Sequence, residues 1–184
     1  MLRAEIWTVV QTGEGNAVLL RPRNQNVAVP IFIGQLEIQS ILAGKEGISL
    51  PRPLTHDLFL NLLDSLNLVL DRMEIHEIKD NTFHARLVIT GGVYSADKPL
   101  VLDSRPSDAL GLAVRRKCPI LIASEIVSET GISLELFINA FKQDGSAQEE
   151  KRGRLIDRLN QAVEMEEYEQ AAKIRDMLKD MECD

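Results

Sequence analysis

Along the first 135 or so residues the spacing of apolar side chains switches several times between the period of a strand and that of a helix. EIWTVVQT, AVLLRPR and VAVPIFIG are short runs rich in β-branched residues, and the turn-forming GEGN separates the first two. They predict three strands. QLEIQSILAGK then takes helical spacing. PRPLTHDLFLNLLDSLN reads as a stiff turn followed by a helix, with Leu58, Phe59, Leu62, Leu63 and Leu66 on one side and Asp57, Asn61 and Asp64 on the other. Thr55 is the expected N-cap, and Asp57 in the first turn suits the positive end of the helix dipole.

A second set follows. LVLDRMEIHEIK and TFHARLVITG predict a hairpin turning at Asp80-Asn81, which sets Glu77 opposite His84 and Ile78 opposite Phe83. KPLVLD predicts another strand, and Ser104 or Arg105 opens a helix containing DALGLAVRR. CPILIAS reads as a short buried strand, and SEIVSE as a weaker helical segment. The order hints at an internal duplication in an α+β fold. VAVPIFIGQLEIQSILA parallels PLVLDSRPSDALGLA, each an apolar strand running into a helix, with Glu37 and Asp108 early in the respective helices.

KQDGSAQEEKRG, residues 142–153, carries two glycines, mixed charge and one alanine as its sole apolar residue, the composition of a linker. It divides a domain at 1–141 from a tail at 154–184. The tail holds two apolar stripes of about three turns each, too short to stand alone. They are expected to fold on each other as a helical hairpin and to seek a partner hairpin.

Charge changes the picture more than composition does. The net charge is −7; residues 1–141 hold 13 basic and 16 acidic side chains, and residues 142–184 hold 8 and 12. That excludes a general attraction to polyanions, so any contact with nucleic acid must be local or bridged by a cation. Cys118 and Cys183 lie far apart with no CxxC pair. No apolar run approaches the roughly 18–20 residues of a membrane span, and no secretory leader is evident at the start. A cytoplasmic, disulfide-free protein is expected.

Candidate chemistry gathers in LDSRPSDALGLAVRR, residues 102–116. Asp103 and Asp108 flank a strand-to-helix turn and, with Glu37, are the expected ligands of a Mg²⁺ or Mn²⁺ ion. Arg105 between them suits a phosphate oxygen, and the helix start adds backbone donors. His56 is the candidate general base, with Asp57 beside it as ligand or orienting group. Ordinary helix-start chemistry accounts for the same residues: Arg105 as N-cap, Pro106 in the first turn, and an ion pair fixing the turn. His76 and His84 fit an ordinary hairpin pair, Cys118 fits the core, and Trp7 alone makes no stacking platform.

PIFIGQLEIQSILA (30–43), PRPLTHDL (51–58), KDNTFHARLVI (79–89) and LVLDSRPSDALGLAV (100–114), in this order and spacing, resemble the bifunctional nuclease domains. The resemblance implies hydrolysis of DNA and RNA with low sequence specificity. It also implies a pair of β3α2 repeats sharing one barrel-like sheet with helices packed on it. Leu155, Leu159, Ala162 and Val163 followed by EEYEQAAKIRDML (166–178) resemble a UVR motif, the helical hairpin of excision-repair and some protease-adaptor proteins. Two functions are therefore expected to compete. One is a metal-assisted nuclease; the other is a non-enzymatic adaptor whose tail docks to a repair or protease-complex partner. Sheet edges and the apolar seam of the tail predict self-association as a dimer or higher oligomer.

Overall fold

Two antiparallel meanders form most of the sheet. β1 (Leu2–Thr12), β2 (Gly15–Pro22) and β3 (Val27–Ile33) make the first; β4 (Leu68–Lys79), β5 (Thr82–Gly91) and β6 (Leu100–Ser104) make the second. Between them run α1 (Gln35–Glu46) and α2 (Thr55–Ser65). After β6 come α3 (Pro106–Arg116), β7 (Ile120–Ile122), α4 (Ser124–Thr130) and β8 (Ile132–Ser133). This computed structural model describes residues 1–12, 15–48, 51–138, 173 and 175. The chain divides into two compact units, residues 1–134 and 135–184, and all these elements belong to the first.

β7 joins the meanders, lying antiparallel to β1 and parallel to β4. The strands follow the order β6-β5-β4-β7-β1-β2-β3-β8 in one eight-stranded mixed sheet. The expected single sheet is present, but it does not close into a barrel. β7 covers the inner edges of both meanders, which leaves five-residue β6 and two-residue β8 as the outer edges. β7 also changes the second half of the element order: two helices follow β3 directly, whereas a strand separates α3 from α4.

Local chemistry explains the elements that carry the site. Asp80 and Asn81 take φ of 48° and 60°, the left-handed values a two-residue hairpin turn demands. The turn fixes the register, and Glu77 faces His84 and Ile78 faces Phe83 as the alternation predicts. α3 opens with extended Arg105 as N-cap and Pro106 at N1, and closes with Arg115 and Arg116 in its last turn. It buries Ala109, Leu110, Leu112 and Ala113 and packs on β4, β5, α1 and α2. Each leucine so buried contributes about 1.5–3 kcal/mol relative to exposure. α2 begins one residue earlier than a Thr55 cap predicts. Leu54 is the N-cap, and its N–H donates to Asp57 Oδ2 at 2.9 Å.

The expected linker at 142–153 and tail hairpin at 154–184 lie outside the described residues, apart from Lys173 and Arg175. Among the described residues no helix is long and apolar enough to cross a membrane.

Candidate functional site

The first turns of three helices meet at one cleft of about 940 Å³. Leu36 and Glu37 come from the start of α1, Leu54, Thr55 and His56 from the start of α2, and Arg105 and Asp108 from the start of α3. Leu87 of β5 and Leu102 and Asp103 of β6 form its floor and wall. Neither Gly34 nor Arg105, the caps of α1 and α3, bonds a side-chain oxygen to its helix's free N–H groups. The positive ends of the helix dipoles therefore face the same space, which also holds the carboxylates of Glu37, Asp103 and Asp108. The dipoles and Arg105 favour an anion there, and the three carboxylates oppose it.

Five of the six residues singled out in the sequence line this cleft: Glu37, His56, Asp103, Arg105 and Asp108. Arg105 is the most exposed cation there, with its side chain 68% accessible. Its Nε donates to Asp108 Oδ2 at 2.8 Å and its Nη2 to Asp108 Oδ1 at 3.1 Å, while Nη1 stands 3.8 Å from Glu37 Oε1. Asp103 is exposed, and no ion pair or hydrogen bond of its side chain occurs among the described residues.

Asp57 is placed otherwise. Its Oδ2 caps α2 and its Oδ1 accepts from Arg115 Nε at 2.9 Å. Burial pushes its carboxyl up, but the Leu54 N–H and the Arg115 guanidinium outweigh this and hold it below its ordinary value. Its place is structural, one step behind the cleft. Arg115 is only 9% exposed and also donates from Nη1 to the carbonyls of Ser40 (3.0 Å) and Gly111 (2.8 Å) and from Nη2 to Ser40 Oγ at 3.3 Å. It ties α1, α2 and α3 together.

Ser40 Oγ lies 3.1 Å from His56 Nδ1. Ser40 Oγ has two lone pairs, so beside the Arg115 donor it can also accept from Nδ1–H, the tautomer that leaves the lone pair of His56 on Nε2. Burial, and then the nearby Arg115 charge, push the His56 pKa down, with Asp108 and Asp57 opposing. The imidazole is thus neutral at pH 7, the form a general base requires. It rests on Gly111, where a Cβ would come within 2.5 Å of His56 Nε2. Ser40 and Arg115 were not legible from the sequence. Ser40 is one polar residue on an otherwise unremarked helix, and Arg115 reads as a routine last-turn cation.

The three carboxylates expected to hold Mg²⁺ or Mn²⁺ share the cleft but not a coordination sphere. Among the described residues no group of three or more His, Cys, Asp and Glu side chains can hold a metal ion. The physical reason is Arg105, whose guanidinium already occupies Asp108 bidentately and leans on Glu37.

Residues 18–135 match the bifunctional nuclease domain, and residues 149–182 match the UvrB/uvrC motif. The chain belongs to the bifunctional nuclease domain family. It is 33% identical over 115 residues to an uncharacterized protein of Mycobacterium tuberculosis, covering 62% of this chain and 66% of that protein. It is 23% identical over 177 residues to bifunctional nuclease 1 of Arabidopsis thaliana, covering 88% of this chain and 54% of the relative. Bifunctional nuclease 2 of Oryza sativa subsp. japonica is 26% identical over 180 residues, at 88% and 55% coverage. The chain thus spans about half the length of its plant relatives. The family match contains every residue of the cleft named above.

Proposed function

We propose that this protein hydrolyses phosphodiester bonds of DNA and RNA in the cleft at the starts of α1, α2 and α3. The observation that carries this reading is the convergence of three helix N-termini with exposed Arg105 and neutral His56 on one open space. In this account a substrate phosphate takes Arg105 from Asp108, and the guanidinium and free N–H groups hold the charge that develops on the phosphoryl oxygens. As water attacks phosphorus, His56 Nε2 accepts its proton while Ser40 Oγ, accepting from Nδ1–H, orients the ring, and the imidazolium returns that proton to the leaving oxygen as the old P–O bond breaks. Asp103, which has no ion-pair or hydrogen-bond partner among the described residues, positions water. The reading contacts only the sugar-phosphate backbone, which supports low sequence specificity and acceptance of both nucleic acids.

The test is cleavage of single- and double-stranded DNA and of RNA by purified protein, beside Arg105→Ala and His56→Asn. Turnover that persists in EDTA and disappears in both variants is the expected result. Turnover abolished by EDTA and restored by Mn²⁺ would return Glu37, Asp103 and Asp108 to the role of metal ligands. Cleavage unaltered in both variants would reject the site.

The UvrB/uvrC match at 149–182 favours a second role, docking to a protein partner through the tail. Deleting residues 151–184 should then lose the partner and keep turnover, whereas a purely adaptor protein has no turnover to keep. Outer edges β6 and β8, the exposed Leu58 and Leu62 of α2 and its exposed C-cap Leu66 support self-association, measurable by light scattering.

A further inference from the structure

The C-terminal ends of α1 and α3 frame a second, smaller pocket of about 260 Å³, and its rim is basic. Arg3, Arg23, Lys45 and Lys117 line it, all four exposed. The acid among its lining residues, Glu5, is bonded by Arg21 from outside the pocket, and the more distant charges of Arg23 and Lys45 add to that pull on it. Elsewhere in residues 1–134, Arg21, Arg72, Arg86, Arg105, Arg115 and Arg116 all pair with carboxylates. The four rim cations have no such partner among the described residues. In a chain of net charge −7, four of the seven cations of residues 1–134 that have no carboxylate partner among the described residues line this one pocket, Arg52, Lys79 and Lys98 being the others.

Helix ends explain only half of it. Lys45 in the last turn of α1 and Lys117 at the C-cap of α3 suit the negative ends of their dipoles. Arg3 and Arg23 have no helix. Arg3 lies on β1 and Arg23 in the turn directly after β2, where the Arg23 N–H donates to the Arg3 carbonyl at 2.8 Å, one step beyond the registered pair of Ala4 with Pro22. Like charges set opposite each other across strands repel and destabilise the pair. An anion between them reverses that sign.

Direction links the pocket to the cleft. α1 and α3 run in the same sense, since Glu37 meets Arg105 at their starts and Gly44 meets Val114 and Arg115 further on. From Glu37 to Lys45, or from Asp108 to Lys117, the rise of a helix places the basic rim roughly 12 Å from the cleft. That is the span of roughly three or four phosphates along one duplex strand.

We infer that Arg3, Arg23, Lys45 and Lys117 are a phosphate-anchoring site that holds a nucleic-acid strand while the cleft acts on a bond further along it. This rests on the reading of the cleft as a nucleic-acid site, and it assigns the strand a path along the paired helices.

The test is the salt dependence of binding of labelled single-stranded DNA to the full chain, measured by fluorescence anisotropy in an inactive His56→Asn background. Each lost phosphate contact should lower the log–log slope by about 0.7. Lys45→Gln with Lys117→Gln should therefore lower it by about 1.4, and all four changed to Gln by about 3. Lys79→Gln with Lys98→Gln removes the same charge elsewhere and should leave the slope unchanged. Equal slopes for the two double variants, or no change in the quadruple variant with its thermal melt intact, would overturn the inference. Inorganic phosphate separates strand from free anion: if it alone stabilises the wild type through these residues while the DNA slope stays fixed, the strand path is wrong. Cleavage by the wild type is scored apart. A protein that cuts nothing yet shows the cation-dependent slope loses the proposed hydrolysis and keeps this site, and the reverse pattern does the opposite.

Discussion

Two arginine–carboxylate clusters in this fold use the same chemistry for opposite ends. On the sheet, Glu74 is 4% exposed and is gripped by Arg72 Nε and Arg86 Nε, each at 2.6 Å, the latter directly across from it on β5. In the cleft, Arg105 grips Asp108 with two bonds of similar length, but both side chains are open to solvent. Water reaches both partners of the second cluster, but in the first it reaches the arginines and not Glu74. A buried carboxylate cannot lose its partners without standing charged in a poor dielectric, whereas an exposed arginine gives up its carboxylate at little cost. The first arrangement fixes a sheet, and the second is free to exchange one anion for another.

That contrast breaks first at Arg105. Arg105→Ala should lower turnover on oligonucleotides by about 10²–10³-fold, the usual cost of one oxyanion donor, with chemical denaturation shifted by less than about 0.5 kcal/mol. Glu74→Ala should do the reverse. Leaving two arginines without their acid is expected to cost about 2–3 kcal/mol of stability, read in urea, with turnover per folded molecule unchanged. The two sites should also answer pH differently. Burial and Arg115 hold the His56 pKa below 6.5, so turnover should stay level down through pH 6.5 and fall only as pH drops through the lowered value. Burial raises the Glu74 pKa, but Arg72 and Arg86 outweigh it and leave it below 4.5. Its contribution to stability is therefore complete above pH 4.5 and lost as pH falls through the lower folded value, and Glu74→Gln should flatten that acid limb. Smallest of all is the exposed pair of Arg116 with Asp64, where Asp64→Asn should change stability by less than about 0.5 kcal/mol.

Period and turn chemistry carried most of the fold. The Asp80-Asn81 hairpin, its register and the strand running into α3 were readable because each is set by neighbours in sequence. The open sheet that joins the two meanders was not readable, because it depends on where three-residue β7 inserts, a choice made by long-range pairing with Leu2–Ala4 and Met73–Ile75. The same division holds in the cleft. Glu37, His56, Asp103, Arg105 and Asp108 stood out as charged groups at helix starts, where sequence gives a local reason for them. Asp57 stood out for the same reason and faces Arg115 instead, 58 residues away. Ser40 gains its meaning only from that arginine and from His56, partners supplied by folding.

One close approach has a thermodynamic consequence. Gly44 lets α1 lie against α3 so tightly that a Cβ there would fall 2.7 Å from Arg115 Nη1. Two helices held abreast in the same sense bring like poles together, and with nothing between them those poles push apart. A polyanion shared by both starts turns the repulsion into attraction, so occupancy and fold stability rise together.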